Sequence, residues 1–221
     1  MRTFVIFLTI LVFLACLGFG LYTSYKPEEN KNQVEGGFSA TDSPPVSEYQ
    51  SNYLIIHVDD LQAEDPQLIS VWGLIAYYPD PKLIFRPLYP MPTATNDEVL
   101  LQYKLSNQKR PDPAWLRALA DFYQITWDNY ILLDTQAMNG LGSSAYGGGI
   151  DFALPDDPIG AEKPYMQAMC DSFSAQGRNF LIGFPWKDLI PDRFRTNVGL
   201  DFGLINMDKL LSPGLPIKCE F

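Results

Sequence analysis

The sequence predicts a mixed α/β domain, a central mixed β-sheet flanked by helices, behind an N-terminal transmembrane segment. Three observations carry this. A branched apolar run, Tyr53-Leu-Ile-Ile-His-Val58, reads as a strand buried on both faces. Two further apolar, β-branched runs follow it around a proline turn. A capped amphipathic pattern and a fourth apolar run then alternate helix with strand. The chain has 221 residues, 47% of them hydrophobic, so the part beyond the N-terminal segment makes about one domain with a single core.

The elements follow in order. Residues 1–3 are a short start, and residues 4–23 are almost unbroken in apolar character (FVIFLTILVFLACLGFGLY from Phe4 to Tyr22). A helix of this length spans roughly the 30 Å hydrocarbon core. Arg2 ahead of the run favours the N-terminus inside and the bulk outside. A retained signal anchor suits a run that continues past any cleavage site. A cleaved signal peptide lacks Ala-x-Ala near the end of the run. A lipid anchor at Cys16 rests on Leu14-Ala15-Cys16. All three readings put the domain outside the cytoplasm, a single-pass membrane protein with its bulk extracytoplasmic. Residues 24–50 are polar and aperiodic and read as a flexible stalk, leaving 51–221 as the domain.

The opening strand ends in Asp59 and Asp60, and ligands in open α/β sheets sit at the carboxyl ends of strands. Leu68–Tyr78 is a second strand. Pro79-Asp80-Pro81 is a turn, and a third strand starts at Leu83 and is broken by Pro87 and Pro90. Tyr89 to Thr95 is a loop. Asp112 caps a helix with Pro113 at its first position, and Trp115, Leu116, Leu119, Phe122 and Tyr123 form its apolar stripe. Trp127–Asp134 is a fourth strand, again ending in a carboxylate. Gly147–Pro155 is a glycine-rich bend without the spacing of a phosphate loop. Helical spacing resumes at Pro164 and reaches Phe184. Leu189–Pro191 and Phe202–Ile205 suggest a last helix and short segments.

The formal net charge is −10, and 16 basic residues are scattered, which argues against nucleic-acid binding. Cys170 and Cys219 are the cysteine pair of the soluble part. In an oxidising compartment such a pair predicts a disulfide. Two Cys and the distant His57 lack zinc-ligand spacing. His57 as a catalytic base has no Ser or Cys partner identifiable in the sequence.

These segments, in this order, resemble the extracytoplasmic domain of the LytR–CpsA–Psr (LCP) family. Ile55-Ile-His-Val-Asp59 resembles the family's strand ending in Gly-x-Asp-x-Arg. The hairpin from Tyr78-Pro79 to Pro90 resembles the pair that closes with Ile-Pro-Arg-Asp. Ile125–Asp134 is similar to Ile-x-x-Asp-His-Tyr followed by a valine run and Asp. Gly148–Pro155 is similar to Gly-Gly-Val-x-Val-x-Val-Pro, and Arg193–Leu200 to Asn-x-x-Thr-Asn-Leu. The resemblance covers about residues 52 to 210. It implies transfer of glycopolymer from a polyprenyl-pyrophosphate carrier to cell-wall glycan, assisted by a divalent cation such as Mg²⁺. On that reading Asp59 is the catalytic and metal-binding carboxylate, with Asp60 and His57 beside it as ligand-binding groups.

The departures are as specific as the matches. Leu61 stands where the family has its first arginine, Leu68–Val71 where it has Arg-Ser-Asp-Thr, and Leu88-Tyr89-Pro90 where it has Pro-Arg-Asp. Arg86 as a catalytic substitute and Arg178 as a ligand-binding one are the replacements on offer. Arginines in such a site clamp pyrophosphate bidentately, so their loss implies a degenerate, ligand-binding or scaffolding member. An active divergent transferase and an unrelated disulfide-stapled binding module are the competing readings. The expected partners are the bilayer, through residues 4–23, and a polyprenyl-phosphate-linked glycan.

Overall fold

The computed structural model describes residues 48–90, 102–146, 157–183, 186–211 and 214–221. The transmembrane segment, Cys16, the stalk up to residue 47 and the bend at 147–155 lie outside these residues. Among the described residues no helix is long and apolar enough to cross a membrane.

Among the described residues six strands form one mixed sheet: β1 (Gln50–Val58), β2 (Leu68–Tyr77), β3 (Lys82–Tyr89), β4 (Asn129–Asp134), β5 (Phe194–Thr196) and β6 (Lys218–Glu220), in spatial order β5-β4-β1-β2-β3-β6. β1 is central, antiparallel to β2 and parallel to β4. Leu54 to Val58 are all buried, as a strand covered on both faces requires. β3 runs through Pro87, which stays opposite Trp72 beside an irregularity in the β2 register. The third strand is therefore not broken at Pro87, because strand irregularities tolerate a residue without an N–H.

Alternation along the strands splits the core in two. On one face Leu54, Ile56, Val58, Val71, Leu88 and Leu132 pack against Trp115, Leu116 and Leu119 of helix α1 (Pro113–Tyr123). Asp112 caps α1 by accepting from the Ala114 amide at 2.7 Å. Gly73 sits on this face because a Cβ there would lie 3.0 Å from the Trp127 ring. On the other face Ile55, Trp72, Phe85 and Leu133 meet α2 (Thr135–Tyr146) and α3 (Pro158–Gln176). Gly142 of α2 lies under Tyr165 of α3, where a Cβ would clash with the ring at 2.2 Å.

α3 begins at Pro158, six residues before Pro164, with the Asp157 carboxylate accepting from Gly160 N at 3.0 Å. Pro164 lies inside the helix rather than at its start. α4 (Arg178–Ile182), α5 (Trp186–Leu189) and α6 (Leu200–Leu211) follow it. The Cys170–Cys219 disulfide joins α3 to β6, with the Cα atoms 6.3 Å apart. It fastens the short edge strand beside β3.

Candidate functional site

The parallel pairing of β1 with β4 brings their carboxyl ends together, Val58 opposite Asp134. β5 runs antiparallel to β4, so the residue just before it, Arg193, arrives at the same end. The Asp134 amide donates to the Arg193 carbonyl at 3.1 Å. The Arg193 guanidinium lies between two carboxylates, donating to Asp60 at 2.6 Å and to Asp134 at 3.0 Å. Asp134 is fully buried, whereas Asp60 is half exposed. The bond to Asp134 chiefly, with help from Asp60, raises the guanidinium pKa above its ordinary value. Asp134 also caps α2, accepting from the Ala137 amide at 2.9 Å.

Asp59 turns back on its own loop. Its Oδ1 accepts from the amides of Asp60 and Gln67, both at 2.7 Å. It thereby closes the loop from 59 to 67. Beside that loop lies a cleft of about 490 Å³, lined by residues that include Gln62, Glu64, Tyr103, Lys104 and Asn107. Lys109 Nζ reaches across to donate to the carbonyls of Ala63 and Glu64. Burial, and then the charges of Asp59 and Asp65, push the Tyr103 phenol pKa up.

Behind Asp59, on the helical face, His57 is fully buried. His57, Ser70 and Trp72 point the same way because His57 pairs with Ser70 and Ile55 with Trp72. α3 lays its inward stripe over them, Glu162, Tyr165, Met166 and Cys170. Glu162, also fully buried, faces Ser70, Trp72 and His57. Ser70 Oγ is 2.8 Å from Oε1 and 2.6 Å from Oε2, and Trp72 Nε1 is 2.6 Å from Oε2. His57 Nδ1 is 2.6 Å from Oε1. On the far side of the ring, His57 Nε2 lies 3.1 Å from Oγ1 of Thr135, the first residue of α2. A register shift in the β1–β2 pairing falls between His57 and Val58. Bulges of this kind re-aim side chains next to sites.

The sequence-predicted residues are thus divided. Asp59, Asp60 and His57 gather at the end of β1. Arg86 pairs with Gly73 on β3 and shares the α1 side of the sheet with Leu88, exposed and on the opposite face from His57. Arg178 opens α4 and forms an ion pair with Asp208 of α6. Neither is joined to Asp59. Three residues are added that the pattern of the chain did not single out: Glu162, Thr135 and Arg193. The one local signal for Glu162 is its place at the head of the stripe that continues through Tyr165, Met166 and Cys170.

Among the described residues the donor set at the end of β1 does not fit a divalent cation. Asp59 Oδ1 already accepts two amides, and a guanidinium lies between Asp60 and Asp134 where a cation would sit. Among the described residues no group of three or more His, Cys, Asp or Glu converges.

No family model and no curated protein matches the sequence. Solved structures do match. A TagT structure, bound to LIIa-WTA, aligns over 85% of this chain and 85% of its own at TM-score 0.52 and 8% identity. TagV of B. subtilis covers 79% of this chain and 85% of its own at 0.46 and 12% identity. The Streptococcus agalactiae protein gbs0355 covers 78% and 76% at 0.49 and 13%. TagT and TagV are LCP-family proteins. At such identities the TagT likeness speaks for architecture alone: the mixed sheet and its flanking helices are an LCP-like fold.

Proposed function

We propose that the chain is an extracytoplasmic LCP-like protein of the cell envelope, anchored through residues 4–23, that binds or scaffolds a polyprenyl-linked glycopolymer without transferring it. The observation that carries this is the state of Arg193. Its guanidinium lies at the carboxyl ends of β1 and β4, with Nη1 donating to both Asp60 and Asp134. A pyrophosphate clamp needs guanidinium groups whose N–H donors face the ligand. Arg86 is on the other face of the sheet and Arg178 is paired with Asp208. The retained fold and the glycopolymer held by TagT support a ligand of that class. The Cys170–Cys219 disulfide fits an oxidising compartment. The active-transferase alternative needs arginines converging on Asp59, and the unrelated-module alternative has the TagT likeness against it.

The test uses the full-length chain purified in detergent, incubated with polyprenyl phosphate with and without Mg²⁺ and read by native mass spectrometry. A parallel assay offers a polyprenyl-pyrophosphoryl glycan and a cell-wall acceptor. Retention of lipid without product is expected. Product formation overturns the loss of catalysis, and no lipid retention overturns the ligand class.

A further inference from the structure

We propose that Glu162, His57 and Thr135 form a carboxylate–imidazole–hydroxyl relay that makes Thr135 Oγ1 a nucleophile toward uncharged carboxylic esters. The geometry is sequential: Glu162 Oε1 to His57 Nδ1 at 2.6 Å, then His57 Nε2 to Thr135 Oγ1 at 3.1 Å. Both distances lie within the reach that a nucleophile, its base and the group orienting the base require.

The tautomer follows from hydrogen-bond accounting. The Glu162 carboxylate is acceptor-only, and Ser70 and Trp72 donate to it already. In the neutral imidazole the proton therefore sits on Nδ1, facing Glu162. Nε2 carries the lone pair and faces the Thr135 hydroxyl. That is the arrangement of a general base. Thr135 also has a weaker option in the Val58 carbonyl, at 3.4 Å.

Thr135 is half-buried, unlike the two groups behind it. It follows β4 directly and opens α2, so the nucleophile stands on a strand-to-helix junction. In the first turn of α2 the Thr135 amide donates to the Asp59 carbonyl and the Ala137 amide to Asp134, which leaves the Gln136 amide to meet a developing oxyanion. In the proposed step Thr135 Oγ1 adds to the ester carbonyl carbon as its proton passes to His57 Nε2. The carbonyl π electrons move onto oxygen. On collapse the C–O bond to the alcohol breaks, and the departing alkoxide takes the proton from Nε2. The acyl group remains on Thr135 Oγ1, and water repeats the sequence to release the acid.

The substrate class comes from charge. Asp59, Asp60 and Asp134 line this end of the sheet, and Arg193 is the guanidinium set among them. Within reach of Thr135 this excess of carboxylate favours a neutral ester over an anionic one as the acyl donor.

The experiment treats the full-length chain with p-nitrophenyl acetate, following nitrophenolate release and locating the acetyl group by peptide mass spectrometry. One acetyl on Thr135 is expected. Its formation rate should fall about 100-fold or more in Thr135→Val and His57→Gln and persist in Thr135→Ser. Glu162→Gln can retain the fold while reversing the tautomer, so it should lose acylation as well. The chain has a single histidine, so ¹⁵N chemical shifts of its ring report the tautomer without assignment. p-Nitrophenyl phosphate should leave no adduct. Acetyl found only on lysines, or an unchanged Thr135 rate in folded His57→Gln, overturns the proposal. So does an Nε2–H tautomer in the unmodified protein.

Discussion

Replacing Glu162 in two ways separates its roles in the core. Its carboxylate accepts from Ser70, Trp72 and His57, and all four residues are buried. Glu162→Leu removes the acceptor that these three donors share. At about 1–3 kcal/mol per orphaned group, the cost is about 3–9 kcal/mol, less whatever carboxylate desolvation is relieved. A domain of this kind has about 5–15 kcal/mol in total, so the leucine variant should be close to unfolding. Glu162→Gln differs because the site can re-pair. With its amide nitrogen toward His57, glutamine keeps an oxygen for Ser70 and Trp72. The imidazole then accepts at Nδ1 and donates from Nε2 to Thr135. Charge assistance is lost, but the penalty for burying a carboxylate is lost with it. The net change should stay within about 2 kcal/mol. Urea denaturation followed by tryptophan fluorescence and far-UV circular dichroism measures both. The expected order is wild type close to glutamine, and both well above leucine. A leucine variant as stable as wild type would show that the donors are satisfied without Glu162. A glutamine variant as damaged as leucine would refute the tautomer exchange.

Removing the disulfide with Cys170→Ala and Cys219→Ala opens a loop set by a separation of 49 residues. The chain-entropy relation gives about 4 kcal/mol, or a Tm about 10 °C lower by calorimetry, and three free thiols per unfolded, unreduced wild-type chain, instead of the one of Cys16, would contradict the bond. Arg193→Met strands the fully buried Asp134 without its cation and should cost about 3–5 kcal/mol. Adding Asp134→Asn should recover part of that loss, and strictly additive losses in the double-mutant cycle would refute the coupling. Burial raises the pKa of Asp128, although the Asn52 amide opposes this from 2.7 Å. A carboxyl raised in the folded state keeps its proton longer than in the unfolded chain, so stability falls as pH rises from the ordinary Asp value through the folded one. Asp128→Asn should therefore be the more stable protein at neutral pH, and the advantage should vanish below about pH 4 in melting curves.

The sheet centre was legible because its signals are local. Leu54–Val58 and Leu68–Tyr77 are continuous apolar runs, and α1 carries a cap, a proline and a stripe within a dozen residues. α2 was invisible for the opposite reason. Its sequence, TQAMNGLGSSAY, has two glycines and no strong periodicity, and it is helical because Ala137, Met138 and Leu141 are buried against the sheet. Gly142 weakens the helix locally and yet admits Tyr165. The start of α3 was displaced because Pro164 looks like a first-turn proline, while Asp157 and Pro158 supply the same signal six residues earlier. β5 and β6 have three residues each, too few to show a period. The site divides likewise. Asp59 and Asp60 are adjacent in sequence and visible at a strand end. His57, Glu162, Thr135 and Arg193 are separated by up to 136 positions and meet only through strand register and helix packing.

The same packing explains how the polar groups at this strand end come to be paired. In a mixed sheet the carboxyl ends of β1 and β4 are fixed by the core, whatever side chains they carry. Here an imidazole at position 57 requires an acceptor on the helical face, and Glu162 supplies it from α3. An arginine before β5 meets Asp134 and Asp60 from the other side. Each pairing satisfies a buried polar group, and that of Arg193 takes up its Nη1 donors. Anion affinity should therefore rise when Arg193 is released, and Asp60→Asn is the variant that releases it without exposing Asp134. If inorganic pyrophosphate binds wild type and Asp60→Asn equally in calorimetric titrations at low salt, Arg193 is not what withholds the site from anions.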